Sequence, residues 1–517
     1  MKRSDRPTAE GFLFTDFYQL TMAQLYFKQG MHDTRAQFDY FFRDYPDYGE
    51  HKAGYCVSAG LEWLLDWMDE ARVSDEDIDC LRAQTGRSGE RIFSDDFLDW
   101  LRDNGHFGDI TIRAIPEGRV VHPNVPVAVV EGPLAMAQIL ETSFLNHVNH
   151  QTLIATKGAR IKEAARGGLV IDFGMRRGHE KGVNAGARGA LIGGVDFSSN
   201  TGTSCVLGYP PKGTHAHSMV QAFIAQGRGE IEAFRAYAEV YPDDCLLLVD
   251  TVDTLASGVP NAITVFEELR ERGHEPFGIR LDSGDLANLA IRSAQLLNDA
   301  GFTDAVIVLS NQLDEITIWQ ILTQIEDEAA SYGVDPDALI GRLTYGVGTR
   351  LMVSKGDAAL DGVYKLVALD EGGEWRPAIK LSETPEKTLT PGNKTVWRVY
   401  DRRGKATADL LGLDEDPAQA DTITLHHPTE AGVSRTLGRE EIGGLEPLLT
   451  PILENGQRVA DPPDLDTLRD RRQRDVERLD AGVKRMMNPH IYHVSLTDKL
   501  WRYKRDLVET LREQTPD

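Results

Sequence analysis

The sequence predicts an α/β protein: an irregular α/β barrel, an α+β sandwich domain built from the N-terminal and post-barrel segments, and a helical C-terminal tail. Three observations predict it. Between Asp172 and Arg350 short apolar runs recur, each closing on a cluster of Gly, Asp, Ser, Asn or Arg and then giving way to a helical stretch. On either side of that region lie extended, Pro- and Gly-punctuated segments of a different character. After residue 462 the chain turns strongly charged with helical spacing, as in DPPDLDTLRDRRQRDVERLD.

Residues 1–149 mix helical patterns such as DFYQLTMAQLYFKQG with DITIRAIPEGRVVHPNVPVAVVEG, whose prolines and glycines suit turns between antiparallel strands. The barrel is expected over 150–365. Its runs GGLVIDFGMRR, CLLLVDTVD, FGIRLDSGD, AVIVLSNQLDE and RLTYGVGTRL lack polar alternation, as strands buried on both faces require. Several are separated by about 30 residues, the length of one strand-plus-helix unit. In such folds the site lies at the carboxyl ends of the strands, where every polar cluster sits, so these clusters are expected to converge. Residues 366–461 return to extended patterns, and 462–517 form the helical tail, expected to pack outside.

The totals bound the function. A chain of 517 residues with 41% hydrophobic content builds full cores for two or three domains. The formal charge of −25 argues against nucleic acid, and no basic stripe offsets it. No apolar run approaches membrane-spanning length, and MKRSDRPTAEGFLF has no apolar core behind its basic residues. Cys56, Cys80, Cys205 and Cys245 form no CxxC pair. A cytoplasmic protein, bound to neither nucleic acid nor membrane, is expected.

Five clusters carry chemistry. In PPKGTHAHSMVQAF, Ser218 and Gln221 have capping-box spacing, which predicts a helix starting at Met219 with His217 just before it. A helix start favours anions and discourages protonation of an imidazole, leaving a ring lone pair for nucleophilic attack. In RLTYGVGTRL, Gly346, Gly348 and Thr349 offer backbone N–H groups and a hydroxyl to a phosphate, or form a structural turn. Phe173 and Arg176 offer an aromatic face and a guanidinium to a planar anion, supported by Arg177. Arg280, Asp282 and Asp285 surround Ser283 and Gly284, one of them a helix cap; carboxylates there accept ribose hydroxyls or orient the waters of a phosphate-held Mg²⁺. Asp250 and Asp253 offer the same on the neighbouring strand. No GxxxxGK[ST] occurs. Together these describe a site for a phosphorylated sugar.

The segments TDFYQLTMAQLYF, FDYFFRDYP, ETSFLNHVNHQTLIATKGARI, DFGMRRG, PKGTHAHSMV, RLDSGDL, LSNQLDE, YGVGTRL, GVYKLV and PAIKLSETPEKTLTPGNKTVWRVYD occur in an order that resembles the nicotinate phosphoribosyltransferase family over most of the chain. The resemblance implies an enzyme of NAD biosynthesis that makes nicotinate mononucleotide and pyrophosphate from nicotinate and phosphoribosyl pyrophosphate. It further implies ATP as co-substrate, coupled through a phosphohistidine at His217, and Mg²⁺ as cofactor. His215 stands where the family varies and reverts to a structural role. Tyr18, contributed by the neighbouring subunit of a homodimer, and Phe173 would enclose the pyridine ring. Arg176 and Arg280 would bind its carboxylate and the phosphoribosyl group. Asp250 and Asp282 would serve ribose, Mg²⁺ and pyrophosphate, with Ser310 and Asn311 nearby, and Gly348 and Thr349 would cradle the 5′-phosphate. His217, Arg280 and Asp282 are the implied catalytic residues. Relatives read FDGTSN where this chain has DFSSN from Asp196 to Asn200. Ser199 occupies the position at which nicotinamide-using relatives carry an aspartate, which would repel a carboxylate, so serine favours the acid. The rival readings are a nicotinamide-specific transferase, a barrel aldolase with Lys157 or Lys365 as Schiff base, and a barrel kept as a scaffold.

Overall fold

Buried parallel strands need apolar side chains on both faces, and the five runs read from the sequence become five parallel strands, joined by a sixth at Phe197–Ser198, in a computed structural model that describes residues 5–380, 389–413, 417, 420–430 and 432–513. Residues 381–388, inside PAIKLSETPEKTLTPGNKTVWRVYD, lie outside the described residues. The chain divides into two units, Ile154–Ala358 and the remainder, Met1–Leu153 with Ala359–Asp517.

The Ile154–Ala358 unit holds the strands β1 (Leu169–Asp172), β2 (Phe197–Ser198), β3 (Leu246–Leu248), β4 (Gly278–Leu281), β5 (Val306–Ser310) and β6 (Leu343–Val347). All pairings are parallel, and the order is β2-β1-β6-β5-β4-β3. Each strand thus neighbours its successor except at β2 and β3, and the first pairs with the last: the order is that of a ring opened at one place. No strand ladder joins β2 to β3 among the described residues. The segment between them reaches both: Lys212 N–H donates to the Ser198 carbonyl at 3.1 Å, and the His215 ring accepts from Leu248 N–H at 3.1 Å. Parallel register puts the strand ends level, with Val308 opposite both Arg280 and Thr344, so the polar residues that follow share one edge.

Helix caps account for two carboxylates that the sequence offered to a ligand. Asp253 accepts from Ala256 N–H at 2.7 Å and Asp285 from Asn288 N–H at 3.1 Å, each opening the helical turn behind its strand. The expected capping box at Ser218 is not formed. The helix there spans His217–Ala225 with Ala216 as N-cap and no side-chain cap, so it starts two residues earlier than read. The Ser218 signal misled because capping depends on where the preceding loop is anchored, here by Lys212 and His215.

The other unit carries a seven-stranded antiparallel sheet that takes Arg35–Phe42, Thr111–Ala114 and Ala128–Pro133 from the N-terminal segment and Gly362–Glu371, Glu374–Pro377, Thr450–Glu454 and Gln457–Arg458 from beyond Ala358. Arg35–Phe42 lies between Ala128–Pro133 and Gly362–Glu371, with Tyr40 opposite both Ala128 and Tyr364. The stretch up to 365, expected in the barrel, therefore begins a strand of this sheet. A six-stranded sheet formed after residue 393 shares a core with it, to which Phe38, Ile112 and Val130 contribute from one sheet and Val396, Leu411 and Leu496 from the other.

The tail departs from expectation. It supplies helices Leu465–Arg478 and Asp498–Glu513, but between them the strand His493–Leu496 inserts into the six-stranded sheet, parallel to Ala406–Leu413. Burial of Leu496 and Leu500 explains why it is not an external appendage. No described helix is long and apolar enough to cross a membrane.

Candidate active site

Alternation along β4 buries Ile279 and Leu281 and turns Arg280 to the other side, where its side chain retains 13% exposure. Arg280 Nε donates to Ser310 Oγ at 3.0 Å, from the end of β5, and its Nη2 lies 3.3 Å from Asp282 Oδ1. Ser310 Oγ in turn donates to Asp282 Oδ1 at 2.5 Å. The guanidinium lies over the Phe173 ring, 5.3 Å from its centroid. Fixed on two sides by a hydroxyl and a carboxylate and on a third by an aromatic face, it is held as a fork with donors to spare.

Asp250, just after β3, organises the next part. Its Oδ2 accepts from Asp282 N–H at 3.0 Å and Ser283 Oγ at 2.5 Å, and its Oδ1 lies 3.0 Å from His217 Nε2. A carboxylate only accepts, so Nε2 carries a hydrogen, and in the neutral ring the lone pair is then on Nδ1. The Asp250 side chain is 1% exposed and that of His217 37%, so the carboxylate is a buried anchor and the imidazole faces outward. One connected path thus runs His217–Asp250–Asp282–Ser310–Arg280–Phe173 across four strand ends.

Phe173, Met175, Arg176, Ser199, the segment 213–217, Arg280 and Asp282 enclose a cavity of about 560 Å³. That volume falls in the range of small-molecule sites. Of the residues expected to converge, Phe173, Arg176, Ser199, His217, Arg280 and Asp282 line it; Asp250 and Ser310 support it from behind. Gly348 lies beside the Phe173 backbone, and Thr349 opens the short helix Thr349–Met352 behind β6. Asn311 follows Ser310 with φ of 113°, a strained conformation for a residue other than glycine. None of these three lines the cavity. Tyr18 belongs to the other unit, on helix Phe17–Lys28, and is half exposed beside exposed Phe17.

Gly346 is not a phosphate-cradling glycine here. It is buried in β6, and a Cβ at that position would sit 2.3 Å from the Phe173 ring, so its missing side chain is what lets the aromatic face lie there. Lys157, required by the aldolase reading, is buried against Glu315 at 2.7 Å and does not line the cavity, while Lys365 sits on a strand of the other unit. Sequence reasoning passed over Thr214, Met175 and Asp172. The last carries a legible signal, a carboxylate at the end of an apolar run, next to the aromatic and guanidinium groups of Phe173 and Arg176.

His215, which also lines the cavity, is anchored to the fold through its ring. It packs on Tyr237 with centroids 4.9 Å apart, and burial, aided by the Arg280 charge, lowers its pKa to about 4. In the unfolded chain an imidazole titrates near 6.5. As pH falls from about 6.5 towards 4 the unfolded chain takes up a proton that the folded one does not, and stability is lost over that window. Buried His122, also held well below its ordinary value by desolvation, acts in the same direction. The melting temperature is expected to fall between about pH 7 and pH 5, and less steeply in His215→Asn, as differential scanning fluorimetry reads directly.

Two family descriptions match the chain: nicotinate phosphoribosyltransferase N-terminal domain over residues 13–149 and nicotinate phosphoribosyltransferase C-terminal domain over 393–504. The chain is 37% identical over 505 residues to nicotinate phosphoribosyltransferase of Bacillus subtilis, covering 97% of this chain and 96% of that protein. It is 32% identical to the Caenorhabditis elegans protein of the same name, covering 96% and 93%. Among solved structures, human nicotinic acid phosphoribosyltransferase is similar with a TM-score of 0.76 at 28% identity, covering 96% of this chain and 99% of that one. Nicotinate-nucleotide pyrophosphorylase from Pyrococcus furiosus is similar in fold, with a TM-score of 0.62 at 20% identity and coverage of 92% and 99%.

Proposed function

Because the chain belongs to the nicotinate phosphoribosyltransferase family, a family of enzymes in NAD biosynthesis, we propose that it joins nicotinate to phosphoribosyl pyrophosphate, forming nicotinate mononucleotide and pyrophosphate, with ATP hydrolysis coupled through phosphorylated His217. The support is the clamped Arg280 at a cavity that also presents Phe173, Arg176 and neutral Ser199. Two guanidiniums and one carboxylate line that cavity in a chain of net charge −25, so positive charge is concentrated locally where an acid must bind. Nicotinamide is the poorer fit, since Ser199 can donate to a carboxylate and lacks the negative charge with which an aspartate would favour an amide over an acid.

In this reading nicotinate N1 attacks C1 of the ribose, the C–N bond forms as the C–O bond to pyrophosphate breaks, and the leaving group takes the electron pair. No protein base is needed. Phe173 gives the ring a stacking face, paired with Tyr18 of a neighbouring subunit; the exposed Phe17, Tyr18 and Leu25 suit coverage by a partner in a homodimer. Arg280 and Arg176 take the carboxylate and phosphoribosyl charges, Gly348 and Thr349 the 5′-phosphate, with Ser310 and Asn311 beside it. No group of three His, Cys, Asp or Glu able to hold a metal ion occurs among the described residues. Asp282, whose carboxylate lines the cavity, suits orienting the waters of Mg²⁺ held mainly by substrate phosphates, with Asp250 holding the Asp282 backbone from behind. When bound, that ion offsets charge on pyrophosphate. Catalysis is positioning and electrostatics. The four free cysteines suit a cytoplasmic setting.

The free Nδ1 of His217 attacks the γ-phosphorus of ATP; the N–P bond forms, the P–O bond to ADP breaks, and the Nε2 proton stays shared with Asp250. In His217→Ala, nicotinate-dependent ATP hydrolysis is expected to vanish while mononucleotide formation persists with kcat/KM reduced about tenfold or more. Mass spectrometry of products formed from nicotinate and from nicotinamide, with and without ATP, tests the whole reading. Mononucleotide from nicotinamide alone, or from neither, overturns it.

A further inference from the structure

Asp172 ends β1 with its side chain fully buried, and among the described residues its carboxylate meets neutral donors and no cation. One carboxylate oxygen accepts from Gly174 N–H at 2.7 Å and the other from Ser198 Oγ at 2.7 Å, while its main-chain oxygen accepts from Ser199 N–H at 2.9 Å. Ser198 Oγ also accepts from Asn200 N–H at 3.0 Å. A buried charge met only by neutral donors is costly unless the donors are held in place for it. Its carboxyl is accordingly pushed up by burial.

The residues so tied flank the cavity on both sides. Phe173 lies between Asp172 and the anchored Gly174, and Ser199 between the anchored Ser198 and Asn200; both line the cavity, as does Arg176 in the turn that Gly174 opens. We infer that Asp172 is a positioning residue for the pyridine end of the site, its two carboxylate oxygens setting the aromatic face that follows β1 and the neutral residue that follows β2 at a fixed separation. This rests on the reaction assigned above.

Two glycines agree with it independently. A Cβ on Gly174 would lie 2.7 Å from the Met352 Cβ and 2.9 Å from Asp172 Oδ1, so only glycine lets that N–H come so near the carboxylate. A Cβ on Gly346 would displace the Phe173 ring from the other side. The aromatic face is thus held by a hydrogen bond at its chain neighbour and by an absence of atoms across the sheet. By contrast, among the described residues no hydrogen bond or ion pair joins the Asp172 side chain to Arg280, Asp282, Ser310 or Thr349, and Gly348 approaches the Phe173 backbone rather than that carboxylate.

That asymmetry makes the test. In Asp172→Asn one acceptor is lost, because the amide nitrogen cannot accept from either donor. The KM for nicotinate is expected to rise about tenfold or more, with the KM for phosphoribosyl pyrophosphate changed less than about twofold. Ser198→Ala, which removes one donor with little change of volume, is expected to raise the nicotinate KM several-fold, and Ser198→Thr, which keeps the hydroxyl, to restore it. Ser198→Ala also decides the matter should Asp172→Asn fail to fold. Equal rises in both KM values, or Ser198→Ala and Ser198→Thr indistinguishable from each other, would refute the inference. Failure of the assigned reaction would show differently, as wild-type protein that converts no nicotinate.

Discussion

Arg280→Ala is expected to lower kcat/KM by about a hundred- to a thousandfold, the scale on which a preorganised donor acts in a water-poor site. The guanidinium is tied at once to Phe173, Ser310 and Asp282, so its loss removes positive charge and also frees the three groups it holds. Lysine should not replace it. An ammonium cannot donate from Nε to Ser310 while facing Asp282 and lying flat over the ring, so Arg280→Lys is expected to recover less than about a tenth of the activity. Steady-state kinetics with both substrates and a melting curve decide the point: wild-type kcat/KM within tenfold, at unchanged melting temperature, would remove Arg280 from the mechanism.

Asp409→Ala is expected to cost about 3 kcal/mol of stability, the low end for breaking a buried ion pair, because Arg398 loses the carboxylate it grips twice and keeps only its single carboxylate contact, to Asp475. Arg398 is 2% exposed and donates from Nε and Nη2 to Asp409 at 2.8 and 2.9 Å, from Nη1 to Asp475 at 3.2 Å, and from Nη2 to the Val120 carbonyl at 2.8 Å. Tyr492 donates to Asp409 at 2.9 Å. Arg119 adds a second link to Asp475 at 2.7 Å. One network thus joins the N-terminal segment, the six-stranded sheet and the tail. Set against a typical domain stability of about 5–15 kcal/mol, its loss is large. The denaturant midpoint reads it, and Arg398→Met combined with Asp409→Leu should cost less than Asp409→Ala alone, since an apolar pair leaves no orphaned charge. A midpoint for Asp409→Ala unchanged from wild type would show the network to be incidental.

How much of this was legible differs by residue. Arg280, Asp282 and Asp250 could be read as strand-end polar residues because an uninterrupted apolar run announces a buried parallel strand and the chain must turn polar on leaving it. His217 was found through its helix start, though the capping residue proposed for that start was wrong. Asp253 and Asp285 looked no different in sequence from Asp250 and Asp282. Only the hydrogen bonds separate two that cap helices from two that face one another across neighbouring strands.

The amino-acid sequence by itself determined where the buried strands run, that their polar ends carry the chemistry, and to which family the chain is similar, because each of these is written in local pattern and ordered motifs. Tertiary structure alone decided that Gly346 clears space for Phe173, that buried Asp172 ties β1 to β2, that His493–Leu496 inserts into a sheet, and that N-terminal strands pair with strands beyond Ala358. The reason is physical. Period and composition report whether a residue will be buried, whereas the partner it meets there depends on contacts between residues hundreds of positions apart, and those exist only once the chain has closed on itself.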